Sequence, residues 1–208
     1  GNSYLERCLA IRQRRLGTEH EESLITESNI WVLHLLNRDW KKAILIGDPL
    51  TDRIEQALGK GWVYLNQING LGVALASHGL AVNDAVLIER AEAYWTEIVT
   101  LSQQIGLQKS QCAITAQSNR CWLLSERKDE RALEETERLL EQKIVAFGEH
   151  STSLIPTYCV LLQILDGNGE FHRCLEVLDT AMALAHRILP KDHQYIEDLL
   201  SWLISAHE

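Results

Sequence analysis

Apolar residues recur at intervals of three and four along nearly the whole chain, the spacing of one buried face on an α-helix, and few stretches alternate as a strand would. Each long apolar stretch closes on an apolar residue followed by a breaker: Leu16-Gly17, Leu58-Gly59, Ile105-Gly106, Phe147-Gly148 and Leu189-Pro190. Successive breakers lie 42, 47, 42 and 42 residues apart. A fixed period in the range of roughly 20 to 50 residues predicts a solenoid built from one repeated unit. Within a period the pattern divides in two. In the first, Leu24, Ile25, Ile30, Trp31, Leu33 and Leu35 mark a helix over 22–36, Asn37-Arg38-Asp39 is a short polar turn, and Ala43, Ile44, Ile46, Leu50, Ile54 and Ala57 mark a second over 40–58. So short a connection predicts an antiparallel hairpin of a helix A and a helix B. The plan repeats at 62–78 with 84–105, 108–124 with 130–147, and 151–165 with 170–189.

The chain opens inside a helix B over 3–16 and closes in a half unit over about 193–207. The expectation is an all-α, right-handed solenoid of about nine antiparallel helices, with no strand. It forms one domain over 1–208: a half unit at 3–17, repeats at about 18–59, 60–106, 107–148 and 149–190, and a half unit at 191–208. Gly17, Gly59, Gly106 and Gly148 are expected at or just past helix ends, where left-handed backbone is often needed. Pro49 is expected to kink or interrupt its helix, and Pro156 to sit within a first turn, where a missing N–H matters less. The five extra residues of the 47-residue period are assigned to a longer turn over 79–84. The abrupt start at Gly1 suggests a segment excised from a larger protein, with apolar faces at both ends. At the C-terminus that face is drawn from Leu199, Leu200, Trp202, Leu203 and Ile204, and end-to-end self-association is expected.

Composition adds limits. The chain has 208 residues, 46% of them hydrophobic and 24% charged, as in ordinary globular proteins. No apolar run approaches the roughly 18 residues that span a bilayer. The net charge of −9, from 20 basic and 29 acidic residues, argues against nucleic acid and for a neutral or basic partner. Arg12, Arg14 and Arg15 are the one local basic cluster and read as a solvated face. Cys8, Cys112, Cys121, Cys159 and Cys174 are odd in number and scattered among apolar neighbours, as expected of reduced thiols in a cytoplasmic protein.

Catalytic patterns are lacking: no glycine-rich phosphate loop, paired-cysteine motif, His-Glu-x-x-His or glycine-flanked serine occurs. No cofactor or metal is expected. His20, His150 and His193 fall in inter-repeat loops, where a ring nitrogen can bond backbone. Glu130, Arg131, Glu134, Glu135, Glu137, Arg138, Glu141 and Lys143 read as the solvated face of one helix B, with pairing expected from Glu134 to Arg138 and Arg131 to Glu135. Most of the six tryptophans are expected in interhelical seams.

Leu16-Gly17-Thr18-Glu19-His20, Ser28-Asn29-Ile30, an aromatic at Trp40, Ala43 three residues on and the closing Leu58-Gly59 together resemble the 42-residue tetratricopeptide repeat of the kinesin light chain type. Later units depart from it. Trp62 and Lys109 stand where the histidine is wanted, Phe147-Gly148-Glu149-His150 carries it one residue early, Phe171 takes the aromatic place, and Ser118-Asn119 and Ala132 persist. Where the family wants a small residue at the helix crossing, counting gives Trp31 and Arg120, and a slip of one gives Val32 and Cys121. The resemblance implies that helix A lines an inner groove and helix B an outer wall. Polar residues of helix A then become the binding candidates: Asn29, Asn66, Asn69, Gln117, Asn119 and Gln163. An amide both donates and accepts, which suits it to hold the backbone of an extended peptide, and Asn29, Asn69 and Asn119 are expected to face one shared surface. The function implied is a non-catalytic module that binds a protein or peptide segment, as a scaffold or the sensor segment of a larger protein. The alternative is a peptide-sensing regulatory receptor that changes curvature on binding. An enzyme would need a site built around 79–84.

Overall fold

The structure is a computed structural model and describes residues 2–106, 110–190 and 192–205. Among them are ten α-helices, one 3-10 turn at Thr152–Leu154 and no strand. The helices are α1 Asn2–Leu16, α2 Glu21–Leu36, α3 Trp40–Leu58, α4 Trp62–Val82, α5 Ala85–Gln104, α6 Gln111–Glu126, α7 Ala132–Phe147, α8 Ile155–Gly167, α9 Phe171–Ile188 and α10 Gln194–Ser205. The expected count of about nine is one short. The plan itself, a half unit at each end of four hairpins, amounts to ten. Lys109 and the side chains of Trp202, Leu203 and Ile204 lie outside the described residues. The helices form two compact units, 1–116 and 117–208, divided within α6.

All four hairpins turn by one device. Arg38, Asn83, Lys128 and Gly169 have φ of 55, 54, 52 and 74°, in the left-handed region. The next residue, Asp39, Asp84, Asp129 or Glu170, sends its N–H back to the carbonyl of His34, Gly79, Leu124 or Leu165 at 2.8 to 3.0 Å. The left-handed residue itself bonds the carbonyl three before it. These two bonds are the Schellman closure of a helix end. Asp84 then caps α5, its Oδ1 accepting from the N–H groups of Val86 and Leu87. The predicted long turn at 79–84 is therefore corrected. The extra residues lengthen α4 as far as Val82, because Gly79 lets α5 approach closely: a β-carbon there would stand 2.9 Å from Ile88 Cγ1.

At the other end of each hairpin Gly17, Gly59, Gly106 and Gly148 have φ between 69 and 99° and stand at or just past helix ends, as expected. His20 and His193 cap the helices that follow, their Nδ1 atoms accepting from the N–H groups of Glu22 and Tyr195. Pro49 does not interrupt α3. It is exposed, as is Leu45, whose carbonyl loses its partner and is left to water. Pro156 sits in the first turn of α8.

The core of unit 1 is organised by two tryptophans. Trp31 of α2 is 2% exposed and donates its indole N–H to the Ala43 carbonyl of α3 at 2.7 Å. Trp95 of α5 is fully buried and donates to the Asn69 carbonyl of α4 at 3.4 Å. Glycines on the facing helices make the room. A β-carbon on Gly47 would lie 2.8 Å from Trp31 Nε1, one on Gly70 3.0 Å from Trp31 Cη2, and one on Gly72 2.8 Å from Trp95 Nε1. Leu24, Leu50, Ile54, Ile68, Leu71, Leu75 and Ile98 fill the remaining space.

Unit 2 has an aliphatic core, with Leu154, Leu162, Leu165, Leu178 and Leu184 packed together and joined by Ile196 and Leu199 of α10. Leu199 is thus fully buried rather than part of an exposed end face, because its helix turn points it at α9; Leu200 is 40% exposed. One member of the supposed solvated face of α7 is also corrected. Lys143 is 4% exposed, since it follows Ala132, Thr136 and Leu139 on the buried stripe of α7. Its ammonium donates to the Ser153 carbonyl at 3.1 Å and to Thr157 Oγ1 at 2.7 Å. Glu135 on the same helix accepts from Arg120 of α6 at 2.7 Å.

Gly47→Ala tests the tryptophan packing. Alanine gains about 1 kcal/mol of helix propensity, but overpacking costs about 1–3 kcal/mol and the indole is held by its hydrogen bond. Chemical denaturation is expected to show net destabilisation of about 1 kcal/mol or more, whereas Gly167→Ala, at the end of α8 where a β-carbon meets nothing within 4 Å, is expected not to destabilise.

Burial lowers the Lys143 ammonium from 10.5 to about 8. Between those values the unfolded chain holds a proton that the folded chain does not, so stability rises with pH across the window, by about 3 kcal/mol at the full shift. Burial raises the nearby Cys121 thiol above its usual 9.0, which acts in the opposite sense at higher pH. The measurement is therefore the difference in denaturation free energy between the parent and Lys143→Met from pH 7 to 10.5. The parent is expected to gain on the variant as pH rises.

Candidate functional site

The left-handed residues at 38, 83, 128 and 169 bring the first helices of the four hairpins into register. Seven residues before each stand Trp31, Ala76, Cys121 and Leu162, all buried. The crossing position is thus Trp31 in the first repeat and Cys121 in the third, so simple counting holds in one and the slip of one in the other. Nine residues before each stand Asn29, Ala74, Asn119 and Val160. Asn29 and Asn119 therefore occupy equivalent places, and Asn69 does not share them. It lies fourteen before its turn, with Leu24, Ile114 and Ile155, on the core side of the helix.

In unit 1 the three candidate amides have different surroundings. Asn29 is exposed on α2. Asn66 is exposed on α4 and turns its Nδ2 back to the Trp62 carbonyl at 2.9 Å, within its own helix. Asn69 is half-buried beside Trp95. The amide that joins adjacent first helices is one the sequence reading missed: Gln67 is 1% exposed, and its Oε1 accepts from Ser28 of α2 at 2.7 Å. Gln67 follows a predicted helix start and carries no pattern that marks it as buried. Its partner is 39 residues away, and only packing supplies it.

In unit 2 Gln117 and Asn119 are half-buried on α6, and Gln163 of α8 donates to Glu126 Oε1 at 3.0 Å. Asn119 lines a cavity of about 230 Å³ between α6 and α8. Ser118 and Trp122 stand with it on α6, and Pro156 and Val160 face it from α8. Buried Cys121, Leu139 and Thr157 complete the wall. Trp122 is half-buried there, in a cavity wall instead of a sealed seam. The i, i+3 spacing of Asn119 and Trp122 was a readable sign that they share a face.

An amide and a hydroxyl beside an indole and aliphatic carbon suit noncovalent recognition of a chain segment, in which polar groups take backbone and the apolar surface takes a side chain. The lining groups are poor nucleophiles at neutral pH. Burial raises the Cys121 thiol away from the reactive thiolate, and Lys143 reaches the wall only through Thr157. Among the described residues, no three His, Cys, Asp or Glu side chains are placed to hold a metal ion, and no helix is long and apolar enough to cross a membrane.

No protein-family model matches the sequence, and no curated protein does. Solved structures do match in fold. One is BtubC (BKLC) from P. vanneervenii, at a TM-score of 0.78 and 15% identity over 99% of this chain and 81% of that one. Another is a Podosopora anserina structure described as putative kinesin light chain, nearly identical TPR-like repeats, at 0.69 and 16% over 90% and 87%. A single-substitution form of those repeats matches at 0.71 and 15% over 89% and 85%. The chain is therefore similar to kinesin light chain TPR-like repeats: it has a tetratricopeptide-like fold of consecutive helix pairs, at an identity that carries the fold alone.

Proposed function

We propose that this chain is a non-catalytic protein-interaction module that holds a peptide or helical segment against the first helices of its hairpins. The observation that carries the reading is the cavity between α6 and α8, where Asn119 and Ser118 stand beside Trp122 and Val160. A half-buried aromatic next to hydrogen-bonding groups is the composition of a protein–protein hot spot. The tetratricopeptide-like fold supports it, because such repeats generally mediate protein association. The net charge of −9 favours a neutral or basic segment and an association rate that falls with salt. Of the six candidate amides, Asn119 has the strongest support and Asn29 shares its position. Asn66, Asn69, Gln117 and Gln163 do not line this cavity and stand behind Asn119 for that reason.

Selection from a displayed peptide library followed by titration calorimetry tests this. Asn119→Ala and Trp122→Ala together are expected to weaken a selected peptide by about tenfold or more, the loss of one interfacial hydrogen bond and part of an aromatic contact. Both side chains are part-exposed, so thermal melting is expected to move by only a few degrees. Unchanged affinity with an unchanged melt would remove the site. A library that yields no saturable binder would remove the reading.

A further inference from the structure

A second cavity in unit 2, of about 280 Å³, opens at the turn between α6 and α7 against the end of α8. Glu126, Asp129 and Glu130 bring three carboxylates to it and Lys128 one ammonium. Arg131 engages both Asp129 oxygens, at 2.9 and 2.8 Å, and holds that carboxyl well below the usual carboxylate range. Glu126 accepts from the Gln163 amide at 3.0 Å, which fixes it at the rim. Helices α6 and α8 end here and α7 begins here, so the partial charges of their termini oppose one another and the side-chain carboxylates set the sign of the site. Ala132, Leu133 and Ile164 give the cavity an apolar lining.

One further group points to a ligand. Ser125 lines the cavity, is 8% exposed, and its hydroxyl has no hydrogen-bond partner. A buried hydroxyl without a partner is costly, and a hydrogen-bonding ligand would relieve that cost. The buried hydroxyls of Ser23, Ser102 and Thr136 are likewise without a partner, and what sets Ser125 apart is that it lines a cavity with carboxylates at its edge. A buried acceptor oxygen, three carboxylates and aliphatic carbon lining one cavity match an alkyl chain that ends in a cation. Three metal-ligating side chains do not converge at this cavity or elsewhere among the described residues, which favours an organic cation over a metal ion.

We propose that this cavity receives one cationic side chain, a lysine ammonium or an arginine guanidinium, from a bound partner segment. The inference deepens the reading of the chain as a peptide-binding module, since it gives the basic partner a place to put its charge. Ser125 accepts a hydrogen bond from the cation, Glu126 and Glu130 neutralise it, and the lining of Leu133 and Ile164 covers the methylene stem. Lys128 is the one opposing charge among the lining side chains, and its long exposed side chain can swing to water.

The test is nuclear magnetic resonance titration of the whole chain with three capped tripeptides, acetyl-Gly-X-Gly-amide, in which X is lysine, arginine or norleucine. The expected result is saturable shifts of the Ser125 backbone and Gln163 side-chain amide signals with lysine or arginine, lost at high salt, and none with norleucine. Glu126→Gln with Glu130→Gln is expected to weaken binding about fivefold or more, the loss of two exposed ion pairs. Both side chains are exposed, so the fold stays intact. Lys128→Ala is expected to strengthen binding. Equal shifts with norleucine, affinity unchanged in the double variant, or displacement of the lysine peptide by submillimolar calcium or magnesium would each overturn the assignment. A library-selected segment that depends on Asn119 and Trp122 but ignores Glu126 and Glu130 would sink this pocket and leave the module standing. Capture of the lysine tripeptide without any such segment would do the reverse.

Discussion

The burial of two indoles against glycine sets how closely the helices of unit 1 approach. A tryptophan is the largest side chain, and at a helix crossing it would ordinarily hold the two backbones apart. Here Gly47 and Gly70 remove the opposing β-carbons around Trp31, and Gly72 does the same for Trp95. The volume that would be small against small becomes large against nothing. The indole N–H groups impose a further condition, because a buried donor must find an acceptor. Both find a backbone carbonyl on the neighbouring helix, which fixes the ring in one orientation and the helices in one register. Unit 2 solves the same crossing with Cys121 and Leu162, and its core is aliphatic.

Turn chemistry makes the hairpin reproducible despite weak sequence similarity between repeats. The left-handed position is held by arginine, asparagine, lysine and glycine in turn, and only the glycine and asparagine suit it intrinsically. The two closing hydrogen bonds are the same in all four. The backbone thus imposes the conformation on Arg38 and Lys128 at a local cost that packing of the two helices offsets. At Lys128 the same conformation carries a charged side chain to the edge of the acidic cavity. A structural constraint and a candidate binding feature therefore coincide in one residue.

Polar groups inside the helix layers differ in what faces them. Lys143 is buried as a cation with neutral oxygens for its bonded partners, so it weakens unit 2 at neutral pH while tying α7 to the start of α8. Gln67 ties α2 to α4 through Ser28. Asn119 lines the wall of a cavity between α6 and α8. Ser125 lines another, and its buried hydroxyl has no hydrogen-bond partner within the protein.

The period of the breakers and the three-and-four spacing of apolar residues were enough to determine an all-helical chain of paired helices, the turns between them and the left-handed glycines at their ends, because those features depend on local backbone energetics. The sequence also pointed to Asn119 and Gln163, but as two of six amides that local chemistry cannot rank. What separates them is distance across the fold. Whether Asn69 faces the core, whether Gln67 meets Ser28, and whether Lys143 lies on the wet or dry side of α7 depend on which helix stands opposite. The same holds for the extra residues at 79–84, which read as a loop until the close approach of α5 to Gly79 makes helix the better packing. Tertiary structure alone decided these points, since burial is a property of pairs of helices and a single helix carries only half of each pair.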